Sequence, residues 1–139
     1  MSVTFNAFRE DSDGTKRIVR VSPIDDDEVG LNLANGNARA FLEFLGLYDD
    51  RAGIDGIVDM PTARRAVIRS RATFDRNVER HTRQEERQGH VVIDGVTHLD
   101  IPRLHIGGID ADYFTRRLAD FASLVEGAAA LGATHIGWG

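Results

Sequence analysis

A chain of 139 residues with 42% hydrophobic, 28% charged and 7% aromatic content has the composition of one globular domain, able to bury a core without disulfide or metal support. It holds no cysteine, which excludes a thiol nucleophile, a CxxC redox centre and a thiolate zinc site, and its formal charge of −5, from 22 acidic and 17 basic residues, argues against a uniformly basic nucleic-acid coat. No apolar run is long enough to span a bilayer, and the opening Met1–Asn6 has neither the basic start nor the apolar core of a signal peptide, so a cytoplasmic protein without a membrane segment is expected.

The first 22 residues read as a hairpin. Val3, Phe5 and Ala7 alternate with Thr4 and Asn6, Val19 and Val21 alternate with Ile18 and Arg20, and Glu10-Asp11-Ser12-Asp13-Gly14 supplies the turn. Pro23 closes the second strand, and an acidic loop, Asp25 to Glu28, follows. A first helix is predicted from about Asn35 or Asn37 to Leu45. Ala38, Phe41, Leu42 and Leu45 share one face, an asparagine serves as cap, and Gly46 suits the left-handed stop. Residues 47–58, with Asp49, Asp50, Gly53 and Gly56, read as a loop.

Asp59-Met60-Pro61 opens a second helix that can run to about Gln88, with Asp59 as cap and Pro61 in the first turn. A second hairpin spans His90 to Leu99, turning on Asp94-Gly95 between β-branched runs. A third helix carries Phe114, Leu118, Phe121, Val125 and Ala128 at alternating steps of four and three, with Asp110 as cap and Gly132 as its end. Gly127 inside it costs roughly 1 kcal/mol relative to alanine unless a neighbour needs the space. Residues 133–139 read as a terminal strand. The expected architecture is a single α+β domain over residues 1–139, an antiparallel sheet of two hairpins plus a C-terminal strand, packed with about three helices.

The second helix carries the strongest chemical pattern. Advancing 100° per residue, Arg65, Arg69, Arg76, Arg80, Arg83 and Arg87 fall within one narrow stripe, away from Met60, Ala63, Val67, Phe74 and Val78. Residues 61–88 hold eight of the 17 basic residues and four of the acidic ones, a local charge of +4 that leaves −9 on the rest of the chain. The stripe contains three like-charge i,i+4 pairs, each destabilising by roughly 0.2–0.5 kcal/mol, so helix stability alone does not select it. Three uses fit such a stripe: a solvated face, pairing with Asp25–Glu28 or Asp49-Asp50 within or between chains, and phosphate binding on nucleic acid. The chain has no base-reading or stacking motif to accompany the last.

Other motifs fall short of a site. His98, Asp100, His105 and Asp110 are metal-ligand types, but no HxxxH or HExxH spacing fixes a coordination set; with His90 they read as surface or edge-strand residues. Asp11-Ser12-Asp13-Gly14 has its glycine at the wrong position for a calcium loop, and no serine lies in a nucleophile elbow. No catalytic residue, metal or cofactor is assigned.

The segments Asn32–Ala38 leading to Leu45-Gly46-Leu47, Tyr113–Leu118 and the terminal Trp138-Gly139 resemble a group of short uncharacterised bacterial proteins over about half the chain. The resemblance implies no activity. It marks Asn32, Asn35, Asn37 and Trp138 as a polar site near the first helix, against capping asparagines and a packed tryptophan. The expectation for function is a non-enzymatic interaction or adaptor domain that binds a protein partner, or self-associates, through the six stripe arginines and the acidic loops. Polyanion binding by the same stripe is the alternative, and a His/Asp metal-dependent enzyme stands behind it.

Overall fold

The computed structural model describes residues 2–21, 31–88, 91–93, 96–98, 105–106 and 109–139, with side chains described for 2–21, 31–76 and 112–139. In chain order the elements are β1 (Ser2–Glu10), β2 (Lys16–Val19), β3 (Leu31–Ala34), α1 (Asn35–Leu45), β4 (Gly56–Asp59), α2 (Met60–Gln88), β5 (Val91–Ile93), β6 (Val96–His98), β7 (His105–Ile106), β8 (Ile109–Asp110), α3 (Ala111–Ala130) and β9 (His135–Trp138). The fold is α+β, with an antiparallel sheet of five strands and three helices.

β1 organises the sheet. One of its edges pairs with two strands in succession, β3 along residues 2–5 and β2 along residues 7–10, while the other pairs with β9, and β4 continues outward from β9. Thr134 extends the β1–β9 ladder past its last pair. Its N–H donates to the Phe8 carbonyl at 2.8 Å, and its hydroxyl accepts the Glu10 N–H at 2.9 Å, standing in for a strand carbonyl. The hairpin from β1 to β2 turns at the predicted residues, where Asp11 N–H donates to the Thr15 carbonyl and Gly14 N–H to the Asp11 carbonyl.

Period-two alternation sends Val3, Phe5 and Ala7 of β1 to one face, together with Leu31, Leu33, Ile136 and Trp138. All three helices pack there. Phe5 from the sheet, Phe41 from α1 and Phe121 from α3 meet mutually edge to face, with ring centroids 5.6–6.0 Å apart. Phe114 then joins α3 to Phe41 and Phe44 of α1 and stacks on Phe74 of α2. α2 contributes Met60, Ala63, Ala66, Val67 and the buried Ser70, whose hydroxyl is satisfied by the Val67 carbonyl at 2.9 Å.

The helix ends follow the sequence. Gly46 takes φ +69°; its N–H donates to the Glu43 carbonyl and that of Leu47 to the Leu42 carbonyl, the paired bonds of a Schellman stop. Gly132 ends α3 with the same pair of bonds, from Gly132 to Ala129 and from Ala133 to Ala128. At Gly127 a Cβ would lie 2.5 Å from the Val21 side chain, the close approach that accounts for a glycine inside α3. Asp59 accepts the Thr62 N–H at 2.8 Å, and Met60 N–H donates to the Thr134 carbonyl at 2.8 Å, so α2 leaves β4 with its opening donors satisfied.

Three expectations change. The cap of α1 is Ala34, with no side-chain hydrogen bond, because residues 31–34 are drawn into the sheet and the asparagines fall inside the helix. The region read as a loop over 47–58 ends in β4, four residues recruited by the edge of β9. The hairpin of β5 and β6 forms with the expected register, Val91 opposite His98, yet pairs only with itself among the described residues; β3 and β4 complete the main sheet instead. β7 and β8 form a further short pair. The Asp25–Glu28 loop and the Asp94-Gly95 turn lie outside the described residues. No helix among the described residues is long and apolar enough to cross a membrane.

Because Phe41 touches Phe5, Phe114 and Phe121, Phe41→Ala is expected to cost about 3–5 kcal/mol. That is a large share of a stability of about 5–15 kcal/mol. Chemical denaturation checks it, and a loss below 1 kcal/mol would deny this cluster its central place.

Candidate functional site

The arginine stripe is carried on the flank of α2 that faces the end of α1. Arg65, Arg69 and Arg76 are exposed, and none makes an ion pair with a carboxylate among the described residues. Arg65 and Arg76 each donate from Nη2 to a threonine hydroxyl one turn back, Thr62 at 3.2 Å and Thr73 at 3.3 Å. Arg80, Arg83 and Arg87 continue the same spacing on helical backbone, while their side chains lie outside the described residues. By contrast Arg64, off the stripe, reaches Glu126 of α3 at 3.1 Å and ties the two helices.

Arg69 has a second task. Its Nη2 donates to the Leu45 carbonyl at 3.0 Å, one of the carbonyls left without a helical partner at the end of α1. α1 has no basic residue in its last turn, so the guanidinium of α2 supplies the cation that the negative end of its dipole favours. Gly46 makes room: a Cβ there would collide with the Arg69 guanidinium, in addition to the strain of its left-handed backbone.

Between the two helices lies a groove of about 500 Å³ lined by Gly46, Leu47, Thr62, Arg65, Ala66, Ile68 and Arg69. Its floor is apolar and its rim cationic. Ile68, 71% exposed, stands at the rim among the arginines, an apolar contact offered to solvent beside charged groups. A surface of this kind presents guanidinium forks to carboxylates and an apolar patch to whatever lies between them.

The other singled-out residues separate. Asn32 lies between the buried Leu31 and Leu33 and so faces the opposite side of the sheet from Trp138, which pairs in register with Phe5, their rings 5.9 Å apart on the helix side. Asn35 and Asn37 sit half-buried in the first turn of α1, and the Asn35 amide oxygen is buried without a hydrogen-bond partner. The four residues therefore do not converge on one point. His98 and His105 lie on short strands with side chains outside the described residues, as does His90 altogether. Among the described residues no group of three or more His, Cys, Asp or Glu side chains could hold a metal ion.

The sheet's other face carries a feature the sequence reading missed. His135 Nδ1 lies 2.8 Å from the Thr134 hydroxyl and its Nε2 lies 3.7 Å from Glu10, with Asp59 opposite it on β4. The Thr134 hydroxyl already accepts the Glu10 N–H, so it works as a ladder connector. Alternation alone could have placed His135 and Asp59 on that face, but only once β4 was known to be a strand.

Arg69→Leu removes the donor to Leu45, and it is expected to lower stability by about 1–2 kcal/mol in denaturant unfolding. Arg65→Leu, which loses no carbonyl partner, should change stability far less; equal losses would show that Arg69 does not cap α1. Asp59 is held below the usual carboxylate range by the Thr62 hydroxyl and N–H, with help from Arg65 and His135. A carboxyl lowered on folding stabilises above its unfolded titration range, and that contribution disappears as pH falls through its folded value. Asp59→Ala is thus expected to lower Tm by a few degrees at neutral pH, with the gap to the unaltered chain closing in acid; a gap independent of pH would contradict the charged cap.

No protein-family model, curated protein or solved structure matches this chain. The functional reading therefore rests on the chemistry of its own surface.

Proposed function

We propose that the chain is a non-enzymatic interaction domain that holds an acidic protein partner against the arginine face of α2. The observation that carries this reading is the groove itself, where Arg65 and Arg69, without described carboxylate partners, stand beside the apolar Leu47, Ala66 and exposed Ile68. The repulsion within the stripe is relieved when a partner brings carboxylates to it, and arginine loses little of its preorganised fork in making such pairs. The exposed Ile68 favours a protein over a nucleic acid, because a phosphate backbone offers nothing apolar to cover it. The proposal keeps a bacterial cytoplasm as the setting.

Labelled poly-glutamate and a duplex DNA of mixed sequence are the two probes, titrated at low and at raised salt. Poly-glutamate is expected to bind, with affinity falling as salt rises. Replacing Arg65, Arg76, Arg80 and Arg83 together with glutamine should weaken it by at least about tenfold while the fold persists, since Arg69, which caps α1, is left in place. Tighter binding to DNA than to poly-glutamate would transfer the surface to a polyanion, and no binding of either probe at low salt would overturn the reading.

A further inference from the structure

The arginine groove does not stand alone on the surface. A second groove, of about 310 Å³, is lined by Leu47, Asp49, Ala52, Asp55, Gly56, Ile57, Val58 and Trp138, and it runs along β4. Leu47 lines both grooves and forms the ridge between them. On one side of that ridge the rim is Arg65 and Arg69; on the other it is Asp49 and Asp55, both exposed. The arginine groove also carries an exposed isoleucine, Ile68 at 71%.

We propose that this double groove is the contact surface for a second copy of the same chain, related by a two-fold axis at the Leu47 ridge. The inference rests on the reading of the arginine face as a protein-binding surface and names the partner. A two-fold contact is self-complementary, so the surface that makes it must carry both halves of every pair, one on each side of the axis. This surface does: rotation about Leu47 sets the cationic rim of one copy against the acidic rim of the other, and does so twice. The same rotation brings each exposed Ile68 toward the other copy's acidic-rimmed groove, whose apolar lining includes Ala52 and Val58, giving an apolar contact beside each set of opposed charges. β4 is also the edge of the sheet, with no described strand beyond β9's neighbour, and an unprotected edge of this kind is normally covered or paired. A partner of unrelated sequence would need only one of the two charge signs. Side by side, the two signs favour the chain itself.

The test is a reciprocal charge reversal at two exposed positions, Arg65→Glu in one variant and Asp55→Arg in another, read by sedimentation and native mass spectrometry at micromolar concentration. The unaltered chain is expected to be a dimer that weakens with salt. Each variant alone sets like charges opposed at both ends of the contact and should dimerise at least about tenfold less tightly. An equimolar mixture restores opposite charges in both places and should form the mixed dimer in preference to either homodimer. A monomeric unaltered chain, a dimer indifferent to both reversals, or a mixture that fails to recover would each overturn the proposal. Poly-glutamate separates this failure from that of the broader reading: a chain that stays monomeric yet binds the probe loses only the dimer, and one that does neither loses both.

Discussion

The edge-to-face meeting of Phe5, Phe41 and Phe121 is the contact on which the rest of the structure depends. It joins the central strand to two helices whose phenylalanines, Phe41 and Phe121, lie 80 positions apart in the chain, and Phe114 extends it to α2. One aromatic cluster on one face of the sheet draws all three helices to that face. Thr4, Asn6, Phe8, Ile57 and His135 fall on the opposite face, and among the described residues no strand pairs with β4 on the edge away from β9. The position of the exposed surfaces is thus a consequence of where the phenylalanines are.

That arrangement also gives the arginine stripe two meanings. A row of like charges on an isolated helix is a cost. Docked against α1, the same row supplies the missing cap at Leu45 through Arg69, while Arg65 and Arg76 remain available to an outside carboxylate. The capping arginine and those without a described carboxylate partner thus alternate at spacings of four and seven residues along one flank. Neutralising the whole stripe would confound them.

Much of the fold was legible because local rules decided it. The turn before β2, the Asp59 cap, the stops at Gly46 and Gly132, and the apolar faces of α1 and α3 depend on neighbours within a few residues. β3 and β4 were not legible, since four residues beside glycine carry too little pattern and become strands only when β1 and β9 offer an edge. The same recruitment moved the cap of α1 to Ala34. Gly127 looked like a defect until Val21, more than a hundred residues away, was found against it. The site divides in the same way: the arginine spacing could be read from a helical wheel, whereas the groove needs Gly46 and Leu47 from another segment, and the Leu47 ridge between opposite charges has no signature in either stretch alone.

The tryptophan at position 138 is the only one in the chain, and it sits where three regions meet. Its ring packs on Phe5 in the core and lies against Gly56 of the edge strand, and the residue lines the groove along β4. Indole emission shifts with the polarity around the ring. The molecule therefore carries a built-in optical reporter: one fluorophore, with no label added, registers both the loss of the core and the arrival of anything that settles beside the sheet's edge.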